Sequence, residues 1–236
     1  MSLAKIPFII ASAISVHISF FSAAPPPKDE EKMAPNAFES FVLLFQKLWG
    51  NDIKKFATWT ATTVEVASIL ALNIDPSQIP DIGAVQFLRA LHPTDVTPAF
   101  LAGSLACIIG GVFRRYCVLT LGKSWSWPLS IRKEHRLVTE GPYSVVRHPS
   151  YTGYLLQYIG VVFMYAESGS WLRQSGFLQV PYVKLIAAAG FYAFTVGACL
   201  AATRPPIEDK MLHRALGKEW EEWSKRVQYR LVPGIY

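Results

Sequence analysis

The feature that most constrains this chain is the gathering of its apolar residues into blocks near twenty residues long that hold few charges. A helix needs about 20 consecutive apolar residues to cross the hydrocarbon core of a bilayer. Five segments of the 236-residue chain approach that length: 6–24, 56–74, 99–119, 151–167 and 182–203. The composition agrees, with 51% hydrophobic and 17% charged residues, where soluble domains carry about 25% charge. The mean hydropathy is +0.25. The expected fold is an all-α integral membrane protein of about five transmembrane helices plus interfacial helices. Residues 6–24 also have the basic start, apolar run and Ser22-Ala23-Ala24 of a cleavable signal peptide. The length of the run favours a retained helix.

Lys and Arg placement sets the expected orientation. Lys28, Lys32, Lys47, Lys54 and Lys55 lie between the first two segments, and only Arg89 lies in the next connection. Arg114, Arg115, Lys123, Arg132, Lys133, Arg136 and Arg147 fill the third connection, and Arg173 and Lys184 the fourth. Arg204, Lys210, Arg214, Lys218, Lys225, Arg226 and Arg230 follow the last segment. Rich and poor connections alternate, so the N-terminus is expected in the lumen and the C-terminus in the cytosol. That places connection 120–150 and tail 204–236 on one side of the membrane. The net charge of +6 flanks apolar blocks and forms no single stripe. Membrane lipids with anionic headgroups are therefore the expected partner, and nucleic acid is not. Cys107, Cys117 and Cys199 have no CxxC spacing, so neither a disulfide nor a metal site is expected.

Two regions follow. Residues 1–119 hold three transmembrane helices and a polar linker at 25–37; residues 120–236 hold two more and an amphipathic tail. Phe38, Phe41, Val42, Leu44, Phe45, Leu48 and Trp49 predict a short interfacial helix. In the tail, Leu212, Leu216, Trp220, Trp223 and Val227 recur at helical spacing, which predicts one amphipathic helix. Gly110-Gly111 suits close helix packing. Glu65 is an ionisable group inside a span, where it either has a function or faces a partner. His17 reads as a bundle-facing polar residue, and Trp125 and Trp127 as an interfacial aromatic belt.

Two clusters could carry chemistry. The first holds His135, Arg136, Leu137, Val138 and Tyr143, the last in a turn forced by Gly141-Pro142, then His148, Pro149, Ser150 and Tyr151. Pro149 fits the first turn of the fourth span, whose free N–H groups and positive dipole end suit an anion. The second is Arg204-Pro205-Pro206-Ile207-Glu208-Asp209 at the exit of the fifth span. A continuous helix through Pro205-Pro206 is not expected. Taken singly, such residues at membrane edges commonly bind lipid headgroups.

Gly141-Pro142-Tyr143, Arg147-His148-Pro149-Ser150-Tyr151-Thr152-Gly153, Arg204 with Glu208-Asp209, and Leu216-Gly217, Trp220, Trp223 and Arg226-Val227 together resemble the isoprenylcysteine carboxyl methyltransferase family, in a short form like its fungal members. The resemblance covers about residues 120–236. It implies S-adenosyl-L-methionine as cofactor, prenylated CaaX-type protein C-termini as substrate and the endoplasmic reticulum membrane as location, with the active site facing the cytosol. It further implies that His135, Arg136, Leu137, Val138, Tyr143, His148, Pro149, Ser150, Tyr151 and Glu208 contact the cofactor. Arg204 would hold the acceptor, and Arg204 and Glu208 would form the catalytic pair. Pro128 stands where some relatives have a glutamine, and Asp209 where a glutamate is common. A phospholipid or small lipophilic acid methyltransferase would share nearly all these motifs.

Overall fold

The structure is a computed structural model that describes residues 3–32, 37–75, 82–92, 94–133 and 135–236. Among the described residues all regular elements are helical: α1 Ile6–Ser19, α2 Ala37–Trp49, α3 Asn51–Asn73, α4 Gly83–Ala90 and α5 Pro98–Leu121, followed by α6 Pro149–Tyr165, α7 Trp171–Gln174, α8 Val183–Thr203, α9 Pro205–Leu216 and α10 Lys218–Arg226. The predicted 25–37 linker is described in part, since 33–36 lie outside the described residues.

Five helices, α1, α3, α5, α6 and α8, form the bundle and alternate in direction. Ser12, Ser15 and Ser19 of α1 meet Cys107, Gly111 and Arg114 of α5 in ascending order, so these two run parallel. Lys5 reaches Glu65 while His17 reaches Trp59, which makes α3 antiparallel to α1. Gly103 faces Gly160 and Gly110 faces Gly153, so α6 runs against α5. Tyr154 and Tyr158 meet Phe194 and Thr195, and Gly197 meets Tyr154, which turns α8 against α6.

Small residues let the backbones touch. A Cβ on Gly160 would lie 2.3 Å from the Cys107 nitrogen, and one on Gly110 would lie 2.5 Å from the Gln157 nitrogen. This contact is the role expected of Gly110-Gly111. Buried polar groups satisfy each other across the seam: Ser19 donates to Gln157 Oε1 at 3.0 Å, and Ser15 donates to the Cys107 carbonyl at 3.1 Å. Glu65 is resolved in favour of a partner. Lys5 Nζ lies 2.5 Å from its Oε1, with both side chains nearly inaccessible, and also donates to Thr94 at 2.9 Å. His17 accepts a hydrogen bond from Trp59 Nε1 at 3.3 Å.

Pro98–Ser124 and Val183–Thr203 are long and apolar enough to cross a membrane, and Leu3–Ser19 is a shorter apolar helix. The boundaries differ from the sequence reading in three places. α1 ends at Ser19, short of residue 24, because Arg114 Nε takes the Ser19 carbonyl at 3.2 Å, Arg115 takes that of Phe21 at 2.9 Å, and Pro25–Pro27 follow. The predicted single tail helix is two, because Gly217, at φ +54°, breaks it between α9 and α10. Conversely, the prolines after Arg204 interrupt less than expected. Arg204 is the one residue between α8 and α9, and its carbonyl accepts from the Ile207 and Glu208 amides, so Pro205 and Pro206 occupy the first turn of a new helix.

Two residues counted as flanking charges are interior. Lys54 is 1% and Arg114 4% exposed. Both sit on faces of α3 and α5 that turn toward other helices, so neither reports which side of a membrane it is on.

Candidate active site

The chain after α5 doubles back over the end of the bundle, and α9 and α10 close over it. Gly141 takes φ +56°, which bends residues 141–144 into a short 3₁₀ turn and directs Tyr143 inward. The Tyr143 hydroxyl donates to the Cys117 carbonyl at 3.3 Å, and Trp223 of α10 donates to the Tyr143 carbonyl at 3.3 Å. The Arg147 and His148 amides donate to the Tyr229 and Arg230 carbonyls, so the C-terminal segment holds the entrance to α6 in place. Thr152 Oγ1 adds a bond to the Leu231 carbonyl at 2.6 Å.

These contacts enclose one polar cavity of about 90 Å³. Of the residues the sequence singled out, His135, Arg136, Leu137, Val138, Tyr143, His148, Ser150, Tyr151, Arg204 and Glu208 all line it. Pro149 does not. Its ring is buried in the first turn of α6, where it starts the helix and leaves the cavity to its neighbours.

The charged groups form an ordered relay. His148, 5% exposed, directs Nε2 to Asp209 Oδ1 at 2.9 Å and faces Glu208 Oε2 with Nδ1 at 3.6 Å. The Tyr151 hydroxyl donates to the same Glu208 oxygen at 2.9 Å. Asp209 also accepts from Arg230 Nε at 2.8 Å and lies 3.4 Å from Arg147. Burial acts to raise the Asp209 carboxyl, but the His148 and Arg230 hydrogen bonds and the Arg147 charge outweigh it and hold the group below its ordinary value. Burial lowers the His135 imidazole, and Arg132 adds to that against the opposing pull of Glu208. Burial raises the Tyr143 phenol well above its usual range, so it stays protonated. Arg204 Nη2 donates to the Trp127 carbonyl at 2.8 Å, and its guanidinium lies 5.8 Å from the Trp127 ring centroid.

Sequence reasoning missed part of the wall. Trp125 and Trp127, expected in an interfacial belt, line the cavity with Pro128, Leu129 and Ser130. The Lys32–Ser130 bridge and the bond from the Ile131 amide to the Glu31 carbonyl fold this segment inward, away from a lipid-facing position. Arg114, Met211 and Trp223 also contribute.

Comparison with known proteins bears on this same stretch. Residues 102–172 match the model of the isoprenylcysteine carboxyl methyltransferase (ICMT) family. That segment is similar to the family. The matched segment contains the end of the bundle, the Trp125–Ser130 wall, the Tyr143 turn and the His148–Tyr151 entrance to α6. The chain is 32% identical over 127 residues to protein-S-isoprenylcysteine O-methyltransferase B of Arabidopsis thaliana, which covers 53% of this chain and 55% of that protein. It is 25% identical over 215 residues to a Delta(14)-sterol reductase of Gibberella zeae, covering 80% of this chain and 44% of the reductase. The chain therefore spans about half the length of the curated relatives it matches. A solved structure titled as a eukaryotic intramembrane Ras methyltransferase, ICMT, aligns over 100% of this chain and 86% of that one, with 19% identity and a TM-score of 0.38. That likeness is too loose to carry an argument.

Proposed function

We propose that this chain uses S-adenosylmethionine to methyl-esterify the C-terminal carboxylate of prenylated cysteine in CaaX-type proteins. The carrying observation is that His135, Tyr143, His148, Tyr151, Arg204 and Glu208, distant in sequence, line one cavity at the end of an apolar bundle. In this reading α1, α3, α5, α6 and α8 cross the endoplasmic reticulum membrane, with the N-terminus lumenal and the cavity facing the cytosol. The alternating helix directions and the basic residues of 120–150 and the tail support that arrangement.

The residues present fit such a donor. His135 Nδ1 and Trp127 Nε1 are buried polar atoms with no hydrogen-bond partner among the described residues, and such atoms are ordinarily satisfied. The Glu208 carboxylate suits an ammonium or ribose hydroxyls. Held by these residues, S-adenosylmethionine would supply an electrophilic methyl group for the acceptor carboxylate. The acceptor carboxyl, with a pKa of about 3.5, is already ionised at neutral pH, so no side chain has to remove a proton. The task left to the residues is alignment and exclusion of water. His148 fixes Glu208 and Asp209 relative to each other, and Arg204 offers a planar guanidinium suited to a carboxylate.

Equilibrium binding of radiolabelled S-adenosylmethionine to the nanodisc-held protein tests the donor assignment. The wild type is expected to bind, and Glu208→Ala to weaken binding by about 10- to 100-fold, the worth of a hydrogen bond to a charged group. Unaltered affinity in the variant removes Glu208 from the donor site. No binding by the wild type removes the methyltransferase reading altogether.

A further inference from the structure

Two buried cations have no task in the reading above. Lys54, in the first turn of α3, and Arg114, on the inner face of α5, flank the same two rings. The ammonium lies 4.9 Å from the Phe20 centroid and 5.3 Å from that of Tyr154. The guanidinium lies 5.8 and 5.2 Å from the same centroids. Arg114 donates to the Ser19 and Ser150 carbonyls and to the Ser150 hydroxyl. Among the described residues the Lys54 ammonium faces three aromatic rings, the third being Phe194 at 5.9 Å. Among the described residues no carboxylate pairs with either cation. Buried charges are ordinarily paired, and a like charge alongside makes each harder to keep ionised. The arrangement lacks an anion.

The space around Lys54 says which anion. On one side is a small cavity of about 20 Å³, lined by Arg114, Tyr151, Tyr154, Gly197 and Arg204 among others. That is room for little more than one water-sized group, and the cavity shares Arg114, Tyr151 and Arg204 with the polar cavity. Gly197 keeps the approach open: a Cβ there would overlap the Tyr154 hydroxyl and come 3.2 Å from Lys54 Nζ. On the other side is an apolar cavity of about 400 Å³ between α3, α6 and α8. Phe194 lines it and faces Lys54, and Ala57 and Thr58, one turn after Lys54, line it too. The order is therefore large apolar cavity, ammonium, small cavity bordered by Arg114 and Arg204, donor cavity.

We infer that Lys54, backed by Arg114, attracts the carboxylate of the acceptor and passes it to Arg204 at the donor cavity, while the acceptor's apolar chain occupies the cavity between α3, α6 and α8. The identity of the acceptor rests on the proposed function; the anion site rests on the two buried cations. An acceptor with one carboxylate at the end of a long apolar chain matches the apolar cavity and the charge at its edge.

The test compares binding of tritiated N-acetyl-S-farnesylcysteine with that of its neutral carboxamide, in nanodiscs and without methyl donor. The wild type is expected to hold the acid at least tenfold tighter than the amide. Lys54→Met should cut that preference at least threefold, Lys54→Arg should keep most of it, and S-adenosylmethionine affinity should be unchanged in both variants. Equal binding of acid and amide by the wild type overturns the inference whether or not the variants fold. So does a Lys54→Met protein that keeps the preference, or one that loses affinity for the donor instead. Acid-selective binding without methyl transfer by the wild type would leave the anion site standing and remove the proposed reaction.

Discussion

Asp209→Ala is expected to lower stability by about 3–5 kcal/mol, because it removes one member of a buried charge network and leaves the others unpaired. Asp209 is 4% exposed and is the shared acceptor of His148, Arg230 and Arg147. Those three residues come from the α6 entrance and the C-terminal segment, so its loss releases the tail from the bundle as well as the charge. Unfolding in a mixed detergent series, followed by tryptophan fluorescence, reads the change; Trp220 and Trp223 lie in the part that separates. The pH dependence has a definite sign. The folded carboxyl titrates below its ordinary value of 3.8, so its contribution is complete above that pH and is lost as pH falls through the lower folded value. In Asp209→Ala that acid-side loss should be missing. A stability change under about 1 kcal/mol would mean that the cations find solvent without Asp209.

Glu65→Ala should cost a similar amount, about 3–5 kcal/mol, for a different reason. Lys5 and Glu65 are both sealed in the bundle, and truncating the acid leaves an ammonium there beside the Thr94 hydroxyl and, 4.5 Å away, the Phe100 ring. Replacing both partners, as Lys5→Met with Glu65→Leu, should restore most of the loss, since apolar pairs of similar shape substitute well for buried ion pairs. Stability of the two singles and the double forms a cycle. A double variant as unstable as Glu65→Ala would contradict the pairing and point to packing as the cause.

Much of the bundle was legible because long apolar runs with few charges mark buried helices by length and polarity together. The five apolar blocks correspond to α1, α3, α5, α6 and α8, with ends displaced by a few residues where a side chain or a glycine decided the boundary. Arg114 capping Ser19 and Gly217 splitting the tail are local events that periodicity does not encode. The site was legible wherever short-range chemistry fixed it: Gly141-Pro142 forced the Tyr143 turn, and Pro149 began α6. Trp125 and Trp127 were misplaced because a tryptophan at a membrane edge has the same sequence signature whether it faces headgroups or a cavity. Their position depends on the pairing of residues 31–32 with 130–131, a contact about a hundred residues apart. Lys54 and Arg114 were counted as flanking charges because sequence gives a charge its neighbours along the chain and not across it.

The most direct test of the central claim is methyl transfer itself. Nanodisc-held protein would be incubated with radiolabelled S-adenosylmethionine and N-acetyl-S-farnesylcysteine, beside Arg204→Ala and Glu208→Ala samples. The account predicts base-labile label on the farnesylcysteine with the wild type and a loss of at least about 100-fold in both variants, as for a residue that aligns the reacting groups. Donor binding without label on farnesylcysteine, or label on phospholipid in its place, would contradict the assignment of a prenylcysteine carboxylate as the acceptor.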